Sequence, residues 1–198
     1  MRHLLPLLLL AGCGPLVQVG APAPPPAALL TLSATGPAAS PAGLAPVAMG
    51  EALTLLGASA PASLQTTRIP VQVSETEVQY LKAAQWAEPP ARLFVRLLAD
   101  TLAGAGVAVV DRRVTGRAAP RLLGGELALF DVDVRGGSPR VRVRYDATLV
   151  GPDGLRQRRF ERDARVTAVE PGEVSRALNA AANLVAADVA AWVQRAGG

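Results

Sequence analysis

Arg140-Val141-Arg142-Val143-Arg144-Tyr145-Asp146-Ala147-Thr148-Leu149-Val150 alternates without a break. In an extended chain Val141, Val143, Tyr145, Ala147 and Leu149 share one face, and Arg140, Arg142, Arg144, Asp146 and Thr148 share the other. One apolar and one solvated face is the pattern of an antiparallel strand whose sheet is covered on one side.

The neighbouring stretches extend this strand into a meander. Gly151-Pro152-Asp153-Gly154 is a turn, and residues 157–169 read as the next strand, with Phe160, Ala164 and Val166 inward. On the other side, Gly136-Gly137 signals a hairpin. Before it, Leu127 and Leu129 alternate, and the phase then slips to Phe130, Val132 and Val134. A slip of one residue predicts a bulge near Leu129. Closing the second turn with Val150 opposite Leu155 sets Tyr145 against Phe160. On the other face it pairs Asp146 with Arg159, Arg144 with Glu161 and Arg142 with Asp163. Closing the first turn sets Val132 against Val141, Asp133 against Arg140 and Asp131 against Arg142. Opposite charges fall together across both hairpins, as cross-strand pairing favours.

Further out, Leu53–Leu56 reads as a short strand. Arg68–Val73 reads as an edge strand, because Pro70 has no N–H to give to a ladder. Glu77–Leu81 is a further strand. Pro89-Pro90 suits the first turn of a helix, which runs to Ala103 with Leu93, Phe94, Leu97, Leu98 and Leu102 at helical spacing. Gly104 and Gly106 end it, and Val107–Val110 reads as a short buried strand. Pro171-Gly172-Glu173 opens an alanine-rich helix whose stripe is Val174, Leu178, Ala181, Ala182, Val185, Val189, Trp192 and Val193. The predicted fold is α+β. It is an antiparallel sheet, made of the three-strand C-terminal meander plus N-terminal strands, with two main helices packed on one face. The domain is read as residues 51–198.

The N-terminal quarter has a different character. Arg2, the apolar run Leu4–Leu10 and then Ala11-Gly12-Cys13 form a charged start, a short apolar core and small residues. This is a secretion signal over residues 1–12, too short to span a bilayer, which takes roughly 20 apolar residues. Leu10-Ala11-Gly12-Cys13 is a lipobox pattern. Its chemistry needs a thiol to take the lipid and small residues to admit the peptidase. This reading is preferred to an incidental or core cysteine, and two or more acyl chains at Cys13 would anchor stably. Residues 13–50 are rich in Pro, Ala and Gly, as in Pro22-Ala23-Pro24-Pro25-Pro26, and read as an extended tether. Leu29–Leu32 lies in a candidate edge strand over 28–33.

Composition excludes several function classes. The 198 residues carry a formal net charge of +4, with one His and one Cys. With residues 1–12 removed and Cys13 acylated, the chain keeps no histidine and no free thiol. A cysteine nucleophile, a histidine base, a Ser-His-Asp triad and the usual zinc sites are thereby excluded, and no cofactor motif is present. Gly104-Ala105-Gly106 follows a helix and lacks the third glycine of a dinucleotide loop. Asp131 and Asp133 share a face but stand opposite arginines, so they read as structural. A carboxylate-only or Lys82-based enzyme survives these exclusions, but the sequence offers no obvious acidic pair unmatched by arginine, and the chain is read as non-enzymatic.

Arg156, Arg158, Arg162 and Arg165 have no carboxylate opposite them in this register. They are candidate contacts for an acidic partner or a lipid headgroup. Nucleic acid is not an expected partner, since most arginines are matched, the chain is exported and only 4% of it is aromatic. Trp86 is a candidate partner anchor, although a core aromatic covering the helix start is the preferred reading.

These features occur in an order that resembles the ABC-type transport auxiliary lipoproteins, the group that includes the paraquat-inducible protein C type. A lipobox and Pro/Ala tether precede paired strands ending at Tyr80. Trp86-Ala87-Glu88-Pro89 then opens a Leu-rich helix. A charged meander follows, and an Ala-rich helix ending in Ala190-Ala191-Trp192 closes the chain. The resemblance spans about residues 27–195 and is most specific over Arg68–Asp100. It implies a non-enzymatic, periplasm-facing lipoprotein that works with MCE-domain proteins and ABC transporter subunits to move lipid between membranes. Phospholipid is a further candidate ligand, and a homo-oligomer is among the assemblies left open. Cys13 carries over as the acylated residue. Gly14, where enteric inner-membrane lipoproteins have Asp, implies the outer membrane. A scaffold lipoprotein of another envelope complex is the rival reading.

Overall fold

A computed structural model describes residues 28–36 and 47–196. Its spine is the predicted meander: β5 (Arg121–Asp133), β6 (Arg140–Gly151) and β7 (Gly154–Arg165). The register is the one charge pairing dictates. Val132 lies opposite Val141, Asp131 opposite Arg142, Tyr145 opposite Phe160 and Asp146 opposite Arg159. The bulge falls between Leu127 and Leu129, where Ala128 is the extra residue.

The α+β class holds, but the sheet is mixed. β1 (Leu53–Ser59) and β2 (Arg68–Gln72) both run parallel to β5, β1 along its N-terminal half and β2 at its C-terminal end. Outside them lie β4 (Val109–Val110), parallel to β1, and β3 (Val78–Gln85), antiparallel to β2. The fully antiparallel sheet expected from sequence is therefore corrected. Pairing β1 with β5 spans some seventy residues, and alternation within a strand carries no information about direction across such a distance. The edge assignment of β2 is corrected too, because β2 lies between β3 and β5. Pro70 is tolerated there because its ring nitrogen points to the β5 side, where the ladder begins only at Val71.

The apolar face of the meander holds the core. Val141, Val143, Tyr145, Phe130 and Leu127 are fully buried. Helix α1 (Pro90–Gly104) lays Leu93, Phe94, Leu97, Leu98 and Leu102 onto this face, and Phe94 meets Tyr145 at 5.1 Å between ring centroids. Helix α3 (Pro171–Arg195) buries its predicted stripe, and Trp192 meets Phe160 at 5.6 Å. Alanines at 181, 182, 186 and 190 let α3 approach closely. The carboxylate of Glu173 accepts the backbone N–H groups of Thr167 and Ala168, which fixes the turn from β7 into α3. Strand β4 is shorter and less buried than Val107–Val110 suggested. A single turn of helix, α2 (Arg112–Thr115), capped by the Asp111 side chain, follows it.

Gly125 marks the tightest approach in the sheet. A Cβ there would lie 2.2 Å from the carbonyl oxygen of Asp146 and 2.9 Å from the Tyr145 hydroxyl. Gly125→Ala therefore destabilises the domain by about 1–3 kcal/mol. Gly124→Ala, whose Cβ meets only Leu56 at 3.4 Å, costs clearly less. Urea denaturation of the two variants measures the difference.

Candidate functional site

The solvent-side face of the meander is a lattice of charge pairs. Arg142 donates to both oxygens of Asp131, at 2.9 and 2.8 Å, and reaches Asp133 at 3.2 Å. Arg135 bridges Asp133 and Glu75, each at 2.9 Å. Arg144 pairs with Glu161 at 2.9 Å and Arg159 with Asp146 at 2.7 Å. Asp131 and Asp133 are buried. The Arg135 side chain and backbone N–H hold the Asp133 carboxyl well below the usual range. Burial pushes Asp131 up, outweighing the bonds from Arg142. Asp131, Asp133, Asp146 and Glu161 are each committed to a guanidinium, whereas Asp163, opposite Arg142 in the register, makes no ion pair among the described residues, because Arg142 turns to Asp131 and Asp133.

The four arginines without cross-strand partners do not form one patch. Arg156, Arg158 and Arg162 share the face of Phe160, on the helix side of β7, while Arg165 lies on the opposite face across from Arg140. Arg158 sits 5.2 Å from the Phe160 ring centroid. Arg162 is not unpaired: it reaches Asp188 of α3 at 2.5 Å. Register arithmetic compares only strand neighbours, and the partner here comes from the helix above. Trp86 takes its preferred reading, a core aromatic, and not that of a partner anchor. It is 1% exposed and packs edge-on against Phe130 at 5.5 Å. Cys13 lies outside the described residues.

Part of the stretch read as tether, residues 30–35, is stitched into the domain. Leu30 N–H donates to the Gln85 carbonyl and the Leu30 carbonyl accepts from Ala87, each at 2.8 Å. This single bridge beside Trp86 is what stands in the candidate strand 28–33. Asn179 Oδ1 accepts from Ser33 N–H at 2.9 Å. Asn183 accepts from Thr35 N–H at 2.8 Å through Oδ1 and donates Nδ2–H to the Ser33 carbonyl at 2.9 Å. Sequence reading missed this clamp. Its signal was available: Asn179 and Asn183 are one turn apart on an otherwise alanine-rich helix, where asparagine has no propensity reason to stand. Asn183→Ala loosens the clamp by about 1 kcal/mol, and faster amide exchange at Thr35 reports it while the core amides are unchanged.

Two concavities flank these features. One of about 800 Å³ runs between α1 and the β1–β4 end of the sheet, past Leu56, Ala91, Val95, Ala99 and Val109. The other, about 300 Å³, lies where α3 ends over the β6–β7 turn, and Arg121, Arg156 and Arg195 line it. Among the described residues no cluster of His, Cys, Asp and Glu could hold a metal ion. No described helix is long and apolar enough to cross a membrane.

Comparison with known proteins agrees with this architecture. The model of the ABC-type transport auxiliary lipoprotein component family matches residues 30–190, so the match begins at the clamped segment, inside the stretch read as tether. A crystal structure of a Xanthomonas campestris protein of the DUF330 family superposes with a TM-score of 0.66 at 18% identity, covering 87% of this chain and 94% of that one. A second crystal structure, of an uncharacterized protein, gives 0.62 at 16% identity over 72% of this chain and 92% of its own. At these identities the two likenesses speak to the fold alone. No curated protein matches the chain. By the family match over residues 30–190, the chain belongs to the ABC-type transport auxiliary lipoprotein components, and with them to transport at the cell envelope.

Proposed function

We propose that this domain is the non-enzymatic lipoprotein of an MCE/ABC-type lipid transport system, held at a membrane by acylated Cys13 and docking on, or completing, the lipid conduit in the periplasm. One observation carries the reading: within the stretch read as tether, the chain is clamped through Leu30, Ser33 and Thr35 to the end of β3 and to α3. A pull on the acylated end is then taken up by the folded body. The seventeen residues from Cys13 to Leu30 reach about 50 Å if extended as polyproline. That is enough to hold a small domain clear of the headgroups and within range of a membrane complex. Gly14 favours the outer membrane. Commitment of the buried carboxylates to arginines supports a docking role over a catalytic one.

The β7 edge is the docking surface we assign. Strand β7 pairs with β6 only, and Arg156, Arg158 and Arg165 stand exposed along it. Photocrosslinking tests this in intact cells, with benzoylphenylalanine in place of Arg158 in the full-length protein. The expected adduct contains an MCE-domain protein. Adducts only with the proteins of another envelope machine would replace this reading with that of a scaffold lipoprotein.

A further inference from the structure

We infer that the concavity at the end of α3 is a binding site for a phosphate group, formed by Arg121, Arg156 and Arg195. The three come from distant parts of the chain and line one hollow of about 300 Å³. Arg121 opens β5, Arg156 lies near the start of β7 and Arg195 is in the last turn of α3.

Three observations support a ligand here over a merely solvated cluster. The first is convergence. Arg121, Arg156 and Arg195 come from three elements and make no ion pair among the described residues; Arg68, Arg112, Arg117, Arg158, Arg165 and Arg176 are unpaired too, but these three line one hollow together.

The second is preorganisation. Arg121 is partly buried and donates from Nη2 to the Val193 carbonyl at 2.8 Å, which fixes its guanidinium and satisfies a terminal carbonyl of α3. That bond also offsets the negative end of the helix, which would otherwise repel an anion. A planar guanidinium so held matches the oxygens of a phosphate in paired hydrogen bonds, and the exposed Arg156 and Arg195 are free to close on it.

The third is space. Gly50, Gly151 and Gly154 form part of the wall and bring no side chain into the hollow. Asp153 is the one acidic lining residue. With it the lining carries a net charge of +2, which suits a singly charged phosphodiester better than a polyphosphate. Its carboxylate would accept a hydrogen bond from a hydroxyl or ammonium substituent of the ligand.

The site goes beyond the docking role and stands or falls separately from it, because no transport partner is needed to measure binding. The full-length protein in an uncharged detergent at low ionic strength is titrated into glycerophosphoglycerol, a headgroup diester without acyl chains, and into inorganic phosphate. Broadening of the 31P resonance reads binding. The predicted result is saturable binding, weakened about tenfold by Arg156→Gln or Arg195→Gln and further by both together. Arg165→Gln, on the opposite face of the same strand, leaves it unchanged. Arg156 and Arg195 are exposed, so these variants fold. Binding of the diester but not of phosphate assigns a lipid headgroup as the source, and comparable binding of both assigns free phosphate. No saturable binding of either probe, or undiminished binding in the double variant, overturns the site.

Discussion

Arg142→Ala lowers the stability of the domain by about 3–5 kcal/mol, because it leaves two buried carboxylates without their shared cation. Among the described residues Arg142 is the only side chain that bonds Asp131, and it also reaches Asp133. Asp131 and Asp133 are 7% and 3% exposed, so water cannot replace the lost donors. The cost comes from the orphaned charge, not from a large net strength of the pair. Arg142→Met with Asp131→Leu, which removes cation and anion together, is therefore milder than Arg142→Ala alone. Urea denaturation of the three proteins tests this order.

The two buried carboxylates also make stability depend on pH. Asp133 has a folded pKa depressed by Arg135 and, through charge, by Arg142. Its contribution is complete above the unfolded aspartate value, about 3.9, and is lost as pH falls toward the depressed folded value. Asp131 has the opposite sign, since burial raises its folded pKa. It costs stability above the unfolded value, and acid relieves that cost. Without Arg142 both folded values rise. The stability gap between wild type and Arg142→Ala therefore narrows as pH is lowered from 7 toward 4. A gap that widens over this range would contradict the account.

Trp86→Ala costs about 3–5 kcal/mol as well, through a cavity rather than a charge. The indole is buried against Phe130, and its backbone is bound on both sides: Trp86 N–H donates to Thr67, and its neighbours Gln85 and Ala87 bond Leu30. A void there loosens the core under α1 and the point where the tether meets the fold. Amide exchange at Leu30 and Ala87 therefore speeds up together with the global loss. Trp86→Phe is much milder. It keeps most of the contact, and the indole N–H it discards has no hydrogen-bond partner among the described residues. If Trp86→Phe proved as damaging as Trp86→Ala, the indole N–H would have a role beyond packing.

The part of the fold readable in the sequence is the part that local pattern specifies. Alternation in β6, the glycine turns and matched charges fix the three-strand register to the residue. A single-residue slip would turn Val141 and Tyr145 to solvent. Both main helices are equally plain from their stripes and their opening prolines. The N-terminal half of β5 is hidden because Gly124-Gly125 reads as a breaker, whereas here it admits Leu56 and the Asp146 carbonyl. The parallel placement of β1 and β2 is hidden because it depends on contacts far apart in sequence.

The candidate surface divides in the same way. Strand arithmetic sorted the arginines of β5–β7 by local partner. It missed Asp188 beneath Arg162, the Asn179–Asn183 clamp and the meeting of Arg121, Arg156 and Arg195, because each depends on where α3 lies over the sheet.

What the anchored domain associates with decides its role. The decisive measurement is co-purification of the tagged full-length protein from its native envelope in mild detergent, with Cys13→Ala alongside and the recovered proteins identified by mass spectrometry. The predicted result is recovery of an MCE-domain protein together with ABC transporter subunits, lost or strongly reduced in Cys13→Ala. Recovery of a different envelope complex, or of no transporter component at all, would contradict it.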